Sequence, residues 1–208
     1  MSDWDYGGAF RRHDMTGEIL LPNDSRLLVH DITHGTPDFM RSADTLFVDP
    51  PCSAGNLRSF HTKADKDLQY DFGEFAQALF ECIDKIAPTH LFMEVFRGNY
   101  DAFLARICAT YRNVMVYESH YYNKPANRCW IIHASDEDLP KYPLDGMDEA
   151  KAIAWICANH NYKTIGDLCM GRGLVGRHAY LNGRRFVGTE LNKKRLAVLV
   201  DFIREQEK

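Results

Sequence analysis

The sequence lacks the cysteine patterns that mark metal sites. Its six cysteines include no Cys-x-x-Cys pair and no zinc-ligand spacing, so we expect no metal site. Most of them lie in apolar runs such as residues 106–109 and 155–158, where a thiol behaves as a small hydrophobic group. This usage suits the reducing cytoplasm.

Long apolar runs and an excess of positive charge are also absent. The N-terminal stretch MSDWDYGGAFRRHD has no apolar signal core, and no segment approaches membrane-spanning length, so we expect a soluble cytoplasmic protein without a membrane partner. A net charge of −4 argues against a surface that coats nucleic acid indiscriminately. A local basic surface is still compatible with the sequence, because residues 172–195 contain seven Lys and Arg but only one acid, Glu190.

Short apolar runs alternate with helical patterns along most of the chain. Strands are predicted over residues 26–31, 44–49, 90–96, 114–118, 129–134, 165–168 and 186–189. Helices are predicted over residues 72–87, 100–111, 147–160 and 193–207, with another opening at Leu174. Residues 1–24 are predicted to be an irregular arm, and residues 56–70 a mobile loop. The alternation predicts an α/β fold in one domain, with a mostly parallel sheet and helices on both faces.

The stretch from Thr164 to Glu190 has the pattern strand, glycine turn, helix, strand. Gly171 and Gly173 let the backbone approach a ligand, and the helix from Leu174 offers free amides. Glu190, about twenty residues after the turn, is placed to accept hydrogen bonds from ribose hydroxyls. Asp167, just before the turn, would repel a pyrophosphate but suits a cofactor with a cationic or amino-acid end. S-adenosylmethionine has both.

A second motif, Asp49-Pro50-Pro51-Cys52, follows a predicted buried strand. Proline has no backbone donor and forces its predecessor into an extended geometry, so Pro50 must end the strand. Asp49 therefore lies at the carboxyl end of a strand, where open α/β sheets bind their ligands.

With these two motifs in this order, the chain resembles the circularly permuted, β-class DNA amino-methyltransferases, which methylate adenine N6 or cytosine N4. Residues 167–173 look like the cofactor loop of that family, and residues 183–192 closely match the segment that follows it. The resemblance covers about residues 26–205. It implies a Rossmann-like methyltransferase fold with a catalytic half (26–135) and a cofactor-binding half (147–205). Family members with a sequence preference usually carry a target-recognition insertion between the two halves. Here residues 136–147 form only a turn, so we expect no separate target-recognition domain.

The resemblance further implies roles for individual residues. S-adenosyl-L-methionine would be bound by Asp31, Asp167, Met170, Gly171, Gly173, Leu174, Val175, Glu190, Leu191 and Asn192. A base flipped out of DNA would present its exocyclic amine to Asp49 and to the carbonyl of Pro50, with Pro51 and Cys52 completing the catalytic segment. The leading Asp favours adenine N6, and DNA is favoured over RNA. The missing recognition insertion leaves room for a homodimer or a specificity partner.

Cys52 departs from the family, which has an aromatic residue there to stack on the base. Losing that ring would cost about 1–3 kcal/mol unless Phe60, Tyr121 or Tyr122 replaces it. Phosphate contacts are expected from Arg58, His61, Lys63 and Lys66 of the predicted loop.

Cys52 also supports a second interpretation, a C5-pyrimidine methyltransferase. There a cysteine thiolate attacks the ring and a glutamate acts on N3, roles that Cys52 and Glu94 would take. Residues 127–130 loosely match a further segment of those enzymes. A third interpretation is a non-catalytic subunit that binds a cofactor or nucleic acid.

Overall fold

A nine-stranded sheet forms the centre of the computed structural model, which describes residues 5–208. The strands are β1 Glu18–Leu21, β2 Ser25–Val29, β3 Thr45–Val48, β4 His90–Val95, β5 Asn113–His120, β6 Arg128–Ser135, β7 Met147–Asp148, β8 Thr164–Asp167 and β9 Arg185–Glu190. The helices are α1 Ala54–Lys63, α2 Phe72–Ile86, α3 Tyr100–Thr110, α4 Glu149–Asn159, α5 Leu174–Leu181 and α6 Lys193–Gln206. Short 3-10 turns cover Tyr6–Arg11, Ile32–His34 and Asp38–Ser42.

The strand order is β1-β2-β9-β8-β3-β4-β6-β5-β7. Strands β2, β9, β8, β3 and β4 pair in parallel, whereas β1, β6 and β5 add antiparallel pairs at the two sides. The predicted α/β class and mostly parallel sheet are thus confirmed. Strand β8 lies beside β3 although about 115 residues separate them in sequence, so the glycine turn and Asp49 emerge from adjacent strands.

Helices cover both faces, as predicted. Phe47 belongs to the core under α4, α5 and α6, whereas its neighbours Leu46 and Val48 belong to the core under α2 and α3. Side chains alternate between the faces of a strand. Asp49 after β3, and Glu94 two positions beyond Phe92 in β4, therefore point toward the face that α4 covers. No helix within residues 5–208 is long and apolar enough to span a bilayer.

The predicted loop over residues 56–70 is wrong, because Ala54–Lys63 form helix α1. Ser53 caps the helix by accepting a hydrogen bond from the amide of Asn56 at 3.3 Å. Only Leu57 and His61, one turn apart, are buried. Two inward positions in ten residues are too few to show as a helical period in the sequence.

The predicted irregular arm is wrong over Glu18–Leu21, which form strand β1 and pair antiparallel with β2. Ile19 and Leu21 are buried while the alternate positions are exposed, a four-residue alternation too short to stand out. Upstream, Arg12 and His13 both bond to Asp201 of α6. Residues 1–4 of the arm lie outside the described residues.

Helix α4 begins two residues later than predicted. Met147 and Asp148 pair with β5 as strand β7, and the Asp148 carboxylate then accepts the amide hydrogen of Ala150 at 3.2 Å. The cap places Glu149 at the first position of the helix.

A buried histidine cluster lies at the amino end of β4, away from the glycine turn. His133 stacks between Phe92 and Tyr142, with ring centroids 4.0 and 5.4 Å away. His160 bonds to the Tyr142 hydroxyl at 2.7 Å. Burial, and then the neighbouring histidines, lower the pKa of His133 to about 3 and that of His160 to about 4.

Replacement of His133 by Phe is expected to make the protein less sensitive to acid. The histidine is neutral in the folded chain, whereas in the unfolded chain it binds a proton below about pH 6.5, so its contribution to stability is lost as the pH falls from there toward 3. Between pH 6.5 and 4, the unfolding free energy of the native chain should fall relative to that of His133→Phe by roughly 1 kcal/mol per pH unit. Urea titrations at several pH values measure this difference. A difference that does not change with pH would contradict the prediction.

Candidate functional site

Two adjoining cavities of about 390 Å³ each open at the carboxyl end of the parallel strands. The main cavity reaches from Asp31 after β2 across Asp49, Asp167 and Glu190 to the start of α4. Six residues line the side cavity but not the main cavity: Pro50, Cys52, Asn56, Phe96, Asn127 and Arg128. Both cavities are lined by Asp49, Pro51, Phe60, Tyr121 and Tyr122. The motif that begins at Asp49 therefore lies where the cavities meet.

Glu190 holds the glycine turn in place beside the main cavity. Its carboxylate accepts the amide hydrogens of Gly171 at 2.7 Å and Asn192 at 2.9 Å. Gly171 has φ 56°, in the left-handed region that favours glycine. Asp167 accepts the amide hydrogen of Cys169 at 2.9 Å. Burial raises the pKa of Glu190, and it raises that of Asp167 well above its usual range.

Eight of the ten residues predicted to contact a cofactor line the main cavity: Asp31, Asp167, Met170, Gly171, Leu174, Val175, Glu190 and Leu191. The other two, Gly173 and Asn192, do not line the cavity but pack or hydrogen-bond next to the glycine turn. A Cβ at Gly173 would lie 2.7 Å from that of Leu199, so glycine is needed there for close packing. Asn192 caps α6 by accepting the amide hydrogen of Lys194 at 2.9 Å.

Asp31 is held by a side-chain network that the sequence does not reveal. The Tyr70 hydroxyl lies 3.0 Å from each Asp31 carboxylate oxygen and 2.9 Å from Nε2 of His61. His61 is 2% exposed. The predicted phosphate contact by His61 is therefore wrong, because its ring faces inward from α1. Arg58 and Lys63 line neither cavity.

Asp49 belongs to a cluster of three carboxylates, with Glu94 and Glu149, whose oxygens lie within 4.8 Å of one another. Glu94 is fully buried, and neither of its oxygens has a hydrogen-bond partner. Burial first, and then mutual repulsion, raises the pKa of Glu149 to about 7 and that of Glu94 well above its usual range. Their spacing would also suit a cation. The predicted lack of a metal stays a prediction.

Aromatic rings surround Asp49 on the side-cavity face. The Tyr121 hydroxyl donates to Oδ2 of Asp49 at 2.5 Å, and the Tyr121 ring lies 5.3 Å from that of Phe96. Tyr122 is 71% exposed at the rim. The three rings proposed to replace the missing aromatic, Phe60, Tyr121 and Tyr122, thus all lie at this cavity.

Cys52 lines the side cavity as an un-ionised thiol. Its Sγ donates to Oδ1 of Asn56 at 2.5 Å. Burial, and to a smaller degree the charge of Asp49, raise the pKa of the thiol. A cysteine nucleophile needs the opposite shift, and Glu94, its proposed partner, lines neither cavity. The local geometry therefore disfavours nucleophilic attack by Cys52.

Several residues of the main cavity are not among those predicted to contact a ligand, among them Glu149, Arg172 and Arg195. With them, the lining holds five carboxylates (Asp31, Asp49, Glu149, Asp167 and Glu190) against two guanidinium groups. Such a balance suits a ligand that carries positive charge. The side cavity, with Asp49 as its one acid and several rings, suits a flat aromatic ligand.

The sequence matches no protein-family model and no curated protein. Solved structures with a similar fold include the cytosine-N4-specific PvuII DNA methyltransferase, with a TM-score of 0.63 at 9% identity over 91% of this chain and 90% of that one. M1.HpyAVI in its SAM complex has a TM-score of 0.57 at 12% identity, over 85% of this chain and 98% of its own. TTHA0409 of Thermus thermophilus in complex with S-adenosyl-L-methionine has a TM-score of 0.58 at 12% identity, over 86% of this chain and 95% of its own. The chain thus has the Rossmann-like methyltransferase fold that its sequence predicts.

Proposed function

We propose that this protein is an S-adenosylmethionine-dependent DNA methyltransferase that modifies the exocyclic amine of a flipped base, with adenine N6 favoured. The observation that carries the proposal is the position of Asp49-Pro50, where an acidic cavity meets an aromatic one. The names of the solved structures with this fold, which include a cytosine-N4-specific DNA methyltransferase, support it.

The main cavity is the proposed cofactor site. Its excess of carboxylates favours a ligand with sulfonium and ammonium charges, and Glu190 retains oxygen lone pairs for ribose hydroxyls. The complexes of M1.HpyAVI with SAM and of TTHA0409 with S-adenosyl-L-methionine support this ligand. We propose the permuted order in a single domain, with the catalytic half over residues 26–135 and the cofactor half over 147–205.

The side cavity is the proposed acceptor site. The bound cofactor supplies the methyl group, and the protein supplies position and electrostatics. Asp49 accepts a hydrogen bond from the exocyclic amine and takes up its proton as the nitrogen lone pair forms the new bond to the methyl carbon. The electron pair of the broken carbon–sulfur bond would stay on the sulfur, which would leave as the uncharged thioether of S-adenosylhomocysteine. The carbonyl of Pro50 holds the second amine hydrogen. Phe60 and Tyr121 flank the base.

C5-pyrimidine methylation is the second candidate, because Cys52 lines the same cavity as Asp49. It requires a thiolate, which the raised pKa of Cys52 opposes. We therefore rank it below amine methylation.

Transfer of labelled methyl groups from S-adenosylmethionine to DNA and RNA tests the proposal. Mass spectrometry of the digested nucleosides identifies the acceptor atom, and N6-methyladenine in DNA is the expected product. N4-methylcytosine would show that cytosine, not adenine, is the methylated base, and 5-methylcytosine would support the second candidate. No transfer to any nucleic acid would overturn the proposed activity.

Arg128→Ala is expected to weaken DNA binding by a similar factor for all sequences. Arg128 is exposed at the side cavity, where it can contact a phosphate but has no defined base to read. The slope of log affinity against log salt should fall by about 1. Anisotropy titrations of a labelled duplex at several salt concentrations measure it. Arg41→Ala, an exposed arginine before the amino end of β3, is the matched control. Equal slopes for the two variants would contradict a role for Arg128.

A further inference from the structure

The hydroxyl of Tyr121 makes a hydrogen bond that the stacking role does not explain. Tyr121 follows β5, at the start of the hairpin that leads to β6, and the hairpin is closed by the amide of Tyr121 bonding to the carbonyl of Asn127 at 2.9 Å. This anchor brings the phenol across the junction of the two cavities to Oδ2 of Asp49, 2.5 Å away. Among residues 5–208, no hydrogen bond reaches Oδ1 of Asp49, and Asp49 is only partly buried.

Asp49 is surrounded mostly by groups that oppose its negative charge. The titratable and charged groups around it are Glu94 of β4, Glu149 of α4, Asp167 of β8, Cys52 and Cys169 in the adjacent loops, Tyr121 of the hairpin and Arg195 of α6. Burial raises the pKa of Asp49 to about 6, while the Tyr121 hydrogen bond and then the charge of Arg195 act in the opposite direction. The phenol is thus the larger of the two influences that favour the carboxylate.

We propose that Tyr121 is a positioning residue for the transfer reaction: its hydroxyl fixes Oδ2 of Asp49, turns Oδ1 toward the acceptor amine and keeps the carboxylate ionised among its acidic neighbours. The inference rests on the proposed function and adds to it. A ring that only stacked on the base would need no hydroxyl. The hydroxyl couples the β5–β6 hairpin, which lines the acceptor site, to the group that receives the proton.

Tyr121→Phe tests the inference, because it keeps the ring and removes only the hydroxyl. At pH 7 the turnover number for methyl transfer should fall by about 10- to 100-fold, as for the loss of a hydrogen bond to a charged group. The acidic limb of the pH–rate profile should move to higher pH by on the order of one unit, so that part of the loss is recovered at pH 9. Tyr100→Phe is the matched control, since Tyr100 packs on Trp130 and lines neither cavity.

Titration of the Asp49 carboxyl by carbon-13 NMR, assigned with Asp49→Asn, measures the same shift without turnover. It therefore tests Tyr121 even if the native chain transfers no methyl group, an outcome that would count against the proposed function alone. An upward shift of the Asp49 midpoint in Tyr121→Phe supports the inference. An unchanged midpoint, or a loss of turnover that is equal at every pH, would overturn it.

Discussion

Asp49→Asn is expected to lower the rate of methyl transfer by about 10²- to 10⁴-fold. Asparagine keeps the size of the side chain, but it cannot take up the proton that the amine must release. The variant should still bind S-adenosylhomocysteine, whose uncharged sulfur does not depend on the charge of Asp49. Single-turnover transfer at saturating cofactor measures the first effect, and calorimetry measures the second. An active Asp49→Asn variant would remove the central residue of the proposed mechanism.

Cys52→Ala is the counterpart that separates the two methylation chemistries. Cys52 lies three residues after Asp49 and lines the same cavity, so both substitutions disturb the same site. Amine methylation predicts that Cys52→Ala keeps most of its activity, because the thiol only bonds to Asn56. C5 methylation predicts the reverse, since that reaction cannot start without the nucleophile. Loss of activity in Cys52→Ala with its retention in Asp49→Asn would establish the second candidate.

The fold could be predicted because its central strands carry their own signals. The strand before Asp49 is fully buried and ends at two prolines, and the stretch from Thr164 to Glu190 has a glycine turn at Gly171 and Gly173. Parallel strands place both motifs at one edge of the sheet, so eight of the ten residues predicted to contact a cofactor line one cavity. Helix α1 could not be found, because Leu57 and His61 alone face the core.

The contacts that set the chemistry of Asp49 could not be predicted. Tyr121 lies 72 residues away from it in sequence. Glu149 reaches the site only because β7 delays the start of α4. Both contacts depend on the order of strands β4, β6 and β5 at one side of the sheet. These strands pair antiparallel, so their carboxyl ends do not all lie at the same edge of the sheet. Sequence patterns locate the ends of strands, but these contacts come from packing between distant elements.

Glu190→Gln is expected to weaken S-adenosylmethionine binding by at least about 10-fold and to lower the free energy of unfolding by about 1–3 kcal/mol. The two carboxylate oxygens of Glu190 each accept an amide hydrogen, from Gly171 and from Asn192. Glutamine has one oxygen and one NH₂ group, so a donor must face a donor whichever way the amide turns. Glu190 is 6% exposed, and water cannot relieve the conflict. Calorimetry and urea titration measure the two effects.

The comparison with Glu190→Ala makes this prediction specific. Alanine leaves two amides unpaired but introduces no repulsion, so glutamine, though closer in shape to glutamate, should be no better tolerated than alanine. Glu18→Gln, an exposed position in β1, should alter neither quantity. If Glu190→Gln bound the cofactor as the native chain does, the glycine turn would not depend on Glu190. The ribose contact would then have to come from another group of the main cavity.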